Sequence, residues 1–343
     1  MLAFVAVLAT GCPLTKAGRR CTGSGWARDT THVLQCRNGR WAKAMTFGDY
    51  LRFLDAVNKQ AAAEQARRES SAARAAVLRG TSAWVDVYDW SPTFVASRNP
   101  AATPAFTLAR IDRMAASGIS TLYIQTAKAE LSDPVLDRDL LVSIIARARQ
   151  KGLRVVGWYL PTFVDPVVDR AHLAATADLG VDGIGVDIES TVTELGARNA
   201  RLVELSTWLR STYPGMPLGA IVLPPVVTEV LNLKYWPQFP WKDIATSYDV
   251  WMPMAYWTNR TPASGWRDGY LYTRENIDRV RADLGDPNAA VHPVGGLSDT
   301  ATLAEIDGFV QAANERGAIG GGIYDDMIST PEQYSHLAPL ARP

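Results

Sequence analysis

Gly180-Val181-Asp182-Gly183-Ile184-Gly185-Val186-Asp187-Ile188-Glu189-Ser190 is the stretch on which the fold turns. It reads as a short buried strand that ends in carboxylates. Alternate side chains of an extended chain share a face, so Asp187 and Glu189 point the same way, above Gly183 and Gly185. Two acids on one face are costly to bury unless they are paired, hydrogen-bonded or partly wet. Such crowding raises at least one pKa, which suits a general acid. A solvated strand end, a helix N-cap or an ion pair with a neighbouring Arg would explain the same residues without chemistry.

The pattern on either side repeats strand then helix. Strands are expected at 83–88, 121–125, 154–159, 183–188, 218–223, 250–256, 291–295 and 321–324. Helices are expected at 107–116, 140–151, 170–179, 197–213, 273–284 and 300–316. Gly118, Gly152, Gly180 and Gly317 stand at helix ends, where a left-handed stop is wanted. Eight strands with intervening helices over residues 81–343 predict an α/β fold of the (β/α)8 TIM-barrel type. A doubly wound sheet would show a phosphate-binding fingerprint after its first strand, and Asp89-Trp90-Ser91-Pro92 is unlike one.

What precedes the barrel divides into three. The apolar run Leu2–Thr10 followed by Gly11-Cys12 resembles the end of a bacterial lipoprotein signal, with residues 1–11 removed and Cys12 carrying lipid. That would place the protein on the outer face of the cell membrane; a plain secretory signal would release it. Residues 12–45 then form a small hairpin module. Cys21 and Cys36 are the remaining cysteines and pair in an oxidising compartment, and Asn38-Gly39 supplies the turn. Thr46-Phe47-Gly48-Asp49 opens a polar helix expected to run to residue 80 as a linker.

The chain of 343 residues has 35 basic and 35 acidic side chains, so no charge surplus points to nucleic acid. No later run reaches the ~20 apolar residues of a membrane span. The four histidines are scattered without metal-ligand spacing, so neither metal nor cofactor is expected. His292 reads as a buried hydrogen-bonded histidine, and Gly320-Gly321-Gly322 as close packing at the start of the last strand. A barrel keeps its active face at the C-terminal strand ends. Those ends carry Asp89, Gln125, Trp158, Tyr159, Asp187, Glu189, Tyr256, Trp257, Tyr324 and Asp326. Acids and aromatics without a nucleophile elbow suit glycosyl transfer, for which two carboxylates suffice. The aromatic segment 235–241 is expected to overhang that face, either to stack on sugar or to cap its own cluster.

At this point Asp182-Gly-Ile-Gly185-Val-Asp187-Ile-Glu189 resembles the strand-four motif of family 18 glycoside hydrolases, the chitinase-like barrels. Met254-Ala-Tyr256 resembles their strand-six Met-x-Tyr, and Tyr324 stands where they place a strand-eight Trp. The resemblance spans residues 81–340 and extends to uncharacterised glycosyl-hydrolase-like barrels of exported bacterial proteins. It implies Glu189 as general acid and Asp187 as the carboxylate that orients an acetamido group. Asp89, Gln125, Trp158, Tyr159, Tyr256, Trp257, Tyr324 and Asp326 would bind a polysaccharide or oligosaccharide. Gly185 replaces the family's middle Asp, Trp257 follows Tyr256 where an Asp is usual, and Tyr324 replaces Trp. A barrel that binds glycan without cleaving it is therefore the second reading. A phosphodiester-cleaving barrel would need a metal site, which the spacing does not supply.

Overall fold

The computed structural model describes residues 13–341, and the leader and Cys12 lie outside them. The described residues divide into two compact units, with the boundary between Ser70 and Ser71. The first holds three antiparallel strands, β1 (Trp26–Arg28), β2 (His32–Arg37) and β3 (Arg40–Thr46). Asn38 and Gly39 take φ of 50° and 73° at the β2–β3 turn, the mirror-image turn the Asn-Gly pair predicts. Cys21 and Cys36 are joined in a disulfide. The expected hairpin thus gains a third strand; β1 is three residues long, too short to show alternation in sequence. Within residues 13–46, Lys16, Arg19, Arg20, Arg28, Arg37, Arg40 and Lys43 are all exposed, against the single acid Asp29.

Helix α1 (Phe47–Val77) opens as expected: the Asp49 amide donates to Thr46 Oγ1 at 3.1 Å. The shorter Asp accepts from the Thr46 hydroxyl at 2.6 Å, where a Glu would reach the backbone. Its last turns are not the linker foreseen for residues up to 80. Ser71 and Arg74 bind Asp249, and Ala75 and Leu78 are buried within the second unit.

That second unit is the barrel. β4 (Gly80–Val85), β5 (Thr121–Gln125), β6 (Arg154–Tyr159), β7 (Gly183–Ile188), β8 (Leu218–Val222), β9 (Val250–Pro253), β10 (Val294–Leu297) and β11 (Gly320–Tyr324) pair in parallel in the order β10-β11-β4-β5-β6-β7-β8-β9. Parallel bridges Trp251–Val291 and Met254–Val294 close β9 onto β10. All eight strands were legible, but the first runs three residues earlier than the pattern suggested and ends at Val85, the sixth stops at Pro253 rather than 256, and the seventh begins at Val294 rather than 291. The intervening helices include α2 (Val87–Trp90), α3 (Pro92–Arg98), α4 (Leu108–Ala116), α5 (Arg138–Gln150), α6 (Pro166–Ala177), α7 (Leu195–Thr212), α8 (Trp241–Ile244), α9 (Gly269–Leu284), α10 (Leu303–Glu315) and α11 (Pro331–His336). Gly118, Gly152, Gly180 and Gly317 adopt positive φ at helix stops, as their spacing predicts.

Strand alternation sorts the core into two parts. Outward residues such as Val155, Ile184, Val186 and Ala220 meet the helices, while Trp84, Tyr123, Val156, Trp158, Ile221 and Met252 fill the lumen. His292 is fully buried at its base. Its Nδ1 donates to the Leu78 carbonyl at 3.1 Å, so Nε2 accepts from the Ser82 hydroxyl at 2.9 Å. Burial pushes this imidazole down to about 4, which keeps it neutral. A Cβ on Gly322 would collide with the Ser82 carbonyl of β4, so the glycines of β11 serve close strand packing.

Candidate active site

Above the lumen packing lies a cavity of about 320 Å³ at the C-terminal ends of the strands. Asp187 and Glu189 project into it from the end of β7, on the same side because they are two residues apart. Trp158, Met254, Tyr256 and Tyr324 form apolar wall, and Asp86, Gln125 and Lys128 add polar groups. The Tyr256 and Tyr324 rings lie 5.7 Å apart. Trp84 stacks on Tyr123 at 4.3 Å beneath them.

Two buried polar atoms on this wall have no hydrogen-bond partner within the protein: Asp187 Oδ1 and Trp158 Nε1. One accepts and the other donates, so the site offers an unsatisfied pair to a polar ligand. Asp187 is only 6% exposed. Burial, then the neighbouring Glu189 charge, pushes its carboxyl well above the usual range, and Lys128 pulls it partly back. Glu189 is half-buried; burial raises its pKa too, again opposed by Lys128. The Lys128 ammonium lies 5.3 Å from the centre of the Tyr88 ring and 5.6 Å from that of Phe94.

A second group of acids stands beside the cavity. Oxygens of Asp86, Asp89 and Asp325 lie within 4.8 Å of one another, the only such grouping among the described residues with the spacing of a metal site. Asp86 caps α2, accepting from the Tyr88 amide at 2.8 Å, and its other oxygen accepts from the Tyr324 hydroxyl at 2.9 Å. Asp325 Oδ1 accepts from the Met327 amide at 2.8 Å. Burial and mutual repulsion push Asp89 up to about 8 and Asp325 to about 6. Asp89 therefore keeps its proton near neutral pH, which relieves the crowding.

Of the residues expected at the site, Asp187, Glu189, Gln125, Trp158, Tyr256 and Tyr324 meet at the cavity. Four others do not. Tyr159 follows Trp158 on β6 and so faces outward; its hydroxyl donates to Asp169 at 2.8 Å. Trp257 likewise turns away from Tyr256, is fully buried, and packs 5.7 Å from the Phe309 ring. Asp326 pairs with Arg110 and accepts from the Tyr334 hydroxyl at 2.9 Å, a structural role behind the rim. Asp89 closes the α2 capping box with Asp86, as the third residue of the helix. Sequence reading missed Asp86 and Lys128. The Asp86-Val87-Tyr88-Asp89 spacing is itself a capping-box signal that would have ended the strand at Val85.

The aromatic segment after β8 does not overhang the cavity. Trp236 is buried, donates to Asn199 Oδ1 at 2.7 Å, and lies under the Arg198 guanidinium at 4.1 Å. It caps its own cluster against α7. Gly185 has a clear steric reason: a Cβ there would stand 3.0 Å from both Trp158 Cβ and Ile221 Cδ1. Trp158 occupies the space into which a side chain at 185 would grow.

No protein-family model matches the chain, and no curated protein matches it in sequence. Solved structures do match the barrel. It is similar to a chitinase from Chromobacterium violaceum (12% identity over 77% of this chain and 100% of that one, TM-score 0.51). A plant class V chitinase mutant from Cycas revoluta, solved with (GlcNAc)3, matches at 11% identity over 76% and 98%, TM-score 0.54. The spore cortex-lytic enzyme SleL of Bacillus cereus matches at 11% over 77% and 74%, TM-score 0.52. The fold is that of the chitinase-like barrels. At such identities the likeness is one of fold.

Proposed function

We propose that this protein is a glycoside hydrolase acting on an amino-sugar-containing polysaccharide of the cell envelope or its surroundings. The observation that carries the reading is the Asp187–Glu189 pair, two carboxyls on one strand face whose pKa values burial raises, in an aromatic-walled cavity. Glu189, at the wetter position, holds the proton and gives it to the glycosidic oxygen as the bond to the anomeric carbon breaks. Asp187 orients the substrate's acetamido group, whose oxygen closes on that carbon. Water then opens the intermediate and returns its proton to Glu189. Tyr256 and Tyr324 floor the sugar, and Trp158 Nε1 donates to a sugar oxygen. On this reading the protein is held at the outer face of the cell membrane through lipid on Cys12.

Release of new reducing ends from a panel of purified wall and matrix glycans tests the reading, with Glu189→Gln beside the parent. Activity in the parent that falls by about 10²–10⁴-fold in the variant is expected. Equal activity in both would remove Glu189 from the chemistry. The filling of the Gly185 space by Trp158 favours a second reading, a barrel that binds glycan without turnover. Its signature is silence in both proteins with retention of both on one glycan.

A further inference from the structure

The N-terminal unit holds a concentration of charge that the barrel's chemistry does not use. Residues 13–46 carry seven exposed basic side chains and one acid, in a chain whose formal net charge is +0. Among the described residues, none of the seven forms an ion pair; the acid, Asp29, is engaged by Thr31 and His32. Three of the seven are brought together by strand register. Arg37 and Arg40 are partners across the β2–β3 turn, and Arg20 bridges Arg40 from the other side. Residues directly opposite on antiparallel strands share a face with Cβ atoms about 5 Å apart, and like charges so placed repel. Arg40 donates to the Gly18 carbonyl and Arg37 to Gln35, neutral acceptors that leave both charges uncompensated. An open depression of about 530 Å³ lies between Arg20, Thr22, Asn38 and Arg40, beside the Cys21–Cys36 disulfide. A rigid, crosslinked sheet that holds three guanidinium groups on one face is complementary to an anion presented as a surface.

We propose that the Arg20–Arg37–Arg40 face docks onto anionic phospholipid headgroups. The choice of a membrane over a soluble polyanion rests on the lipid-anchor reading of Cys12. Leu14, 67% exposed, already bridges Arg28 in the sheet, only two residues after Cys12. Two residues span at most about 7 Å, so an acylated Cys12 would hold the Leu14–Arg28 edge of this sheet within about one Debye length of the headgroups, with the arginine face two strands further on. A basic patch is the second signal that turns a weak lipid tether into a stable one.

The test uses the full chain carrying Cys12→Ala, which takes no lipid, with vesicles of phosphatidylcholine alone or with about 30% phosphatidylglycerol. Co-sedimentation is expected to rise with the anionic lipid and to fall with added salt. Arg37→Gln should weaken it about fivefold, and the triple Arg20→Gln, Arg37→Gln, Arg40→Gln variant on the order of a hundredfold. These exposed substitutions relieve repulsion, and an intact Cys21–Cys36 disulfide by mass shows the unit formed. Equal binding to both vesicles, or parent-like binding by the triple variant, would overturn the proposal. Capture by soluble polyphosphate with no vesicle binding would overturn it in favour of a soluble polyanion. Palmitate labelling of the wild-type chain reads the Cys12 anchor separately, so the two readings fail independently.

Discussion

The two ends of the barrel treat a buried carboxylate in opposite ways. At the base, Asp249 is compensated on every side. Ser71 donates to Oδ1 at 2.9 Å, Arg74 approaches the same oxygen at 2.9 Å, and Arg210 and the Leu218 amide reach Oδ2 at 2.6 and 3.0 Å. At the mouth, Asp187 has an oxygen with no partner, and Lys128 is the cation that opposes the raised pKa of both Asp187 and Glu189. The first arrangement ties the end of α1 and the start of β8 to one anion. The second leaves burial to raise the pKa of both acids, with only Lys128 opposing it. Compensation marks structure here, and its absence is what the proposed site would turn to use, with a ligand supplying the missing partners.

The largest effect should come from exchanging these treatments. Asp249→Asn leaves two arginines without their anion and should lower stability by about 3–5 kcal/mol in urea unfolding. Asp187→Asn should do the reverse near neutral pH. A carboxyl whose folded pKa is raised binds its proton more tightly in the folded state, so its contribution falls as pH rises past the unfolded value near 4. Replacing it with a neutral amide removes that loss. A destabilised Asp187→Asn, or an unaffected Asp249→Asn, would break the contrast.

A smaller effect tests the wall between the two ends. Gly185→Ala places a Cβ 3.0 Å from Trp158 and Ile221. Neither neighbour is free to leave the packed lumen, so a loss of about 1–3 kcal/mol is expected. Because Trp158 lines the cavity, the same variant should weaken glycan binding. Binding that is untouched would mean the Trp158 ring is not a sugar platform. An unchanged unfolding midpoint would mean that the lumen yields at this point.

These contrasts also explain which parts of the molecule were legible in sequence. The strands of the barrel announce themselves through apolar runs bounded by helix-stop glycines, and the parity of Asp187 and Glu189 follows from period two. The same parity excludes one residue from each adjacent pair at the rim. Trp158 and Tyr159 are consecutive, as are Tyr256 and Trp257, and consecutive residues rarely serve one face. Asp326 was lost to Arg110, a partner 216 positions away that no local pattern reveals. Lys128 lies in the connection after β5, where position is set by the tertiary path rather than by periodicity. The polarity of α1 hid its buried end, since Ala75, with Leu78 just past the helix, is too little to make an apolar stripe.

The smallest effect addresses Lys128 alone. Its ammonium lowers the pKa of both Asp187 and Glu189 against a larger upward push from burial. Removing it in Lys128→Ala leaves that push unopposed, so Glu189 keeps its proton to higher pH. If Glu189 acts as the acid, the alkaline limb of kcat/KM in the reducing-end assay should move upward, while the unfolding midpoint at pH 5 changes little. The direction separates two roles. A lysine that only binds substrate would change KM at every pH and leave the limb where it was. A lysine that sets the proton moves the limb, and the move should vanish in a Glu189→Gln background, where no carboxyl remains at that position to respond.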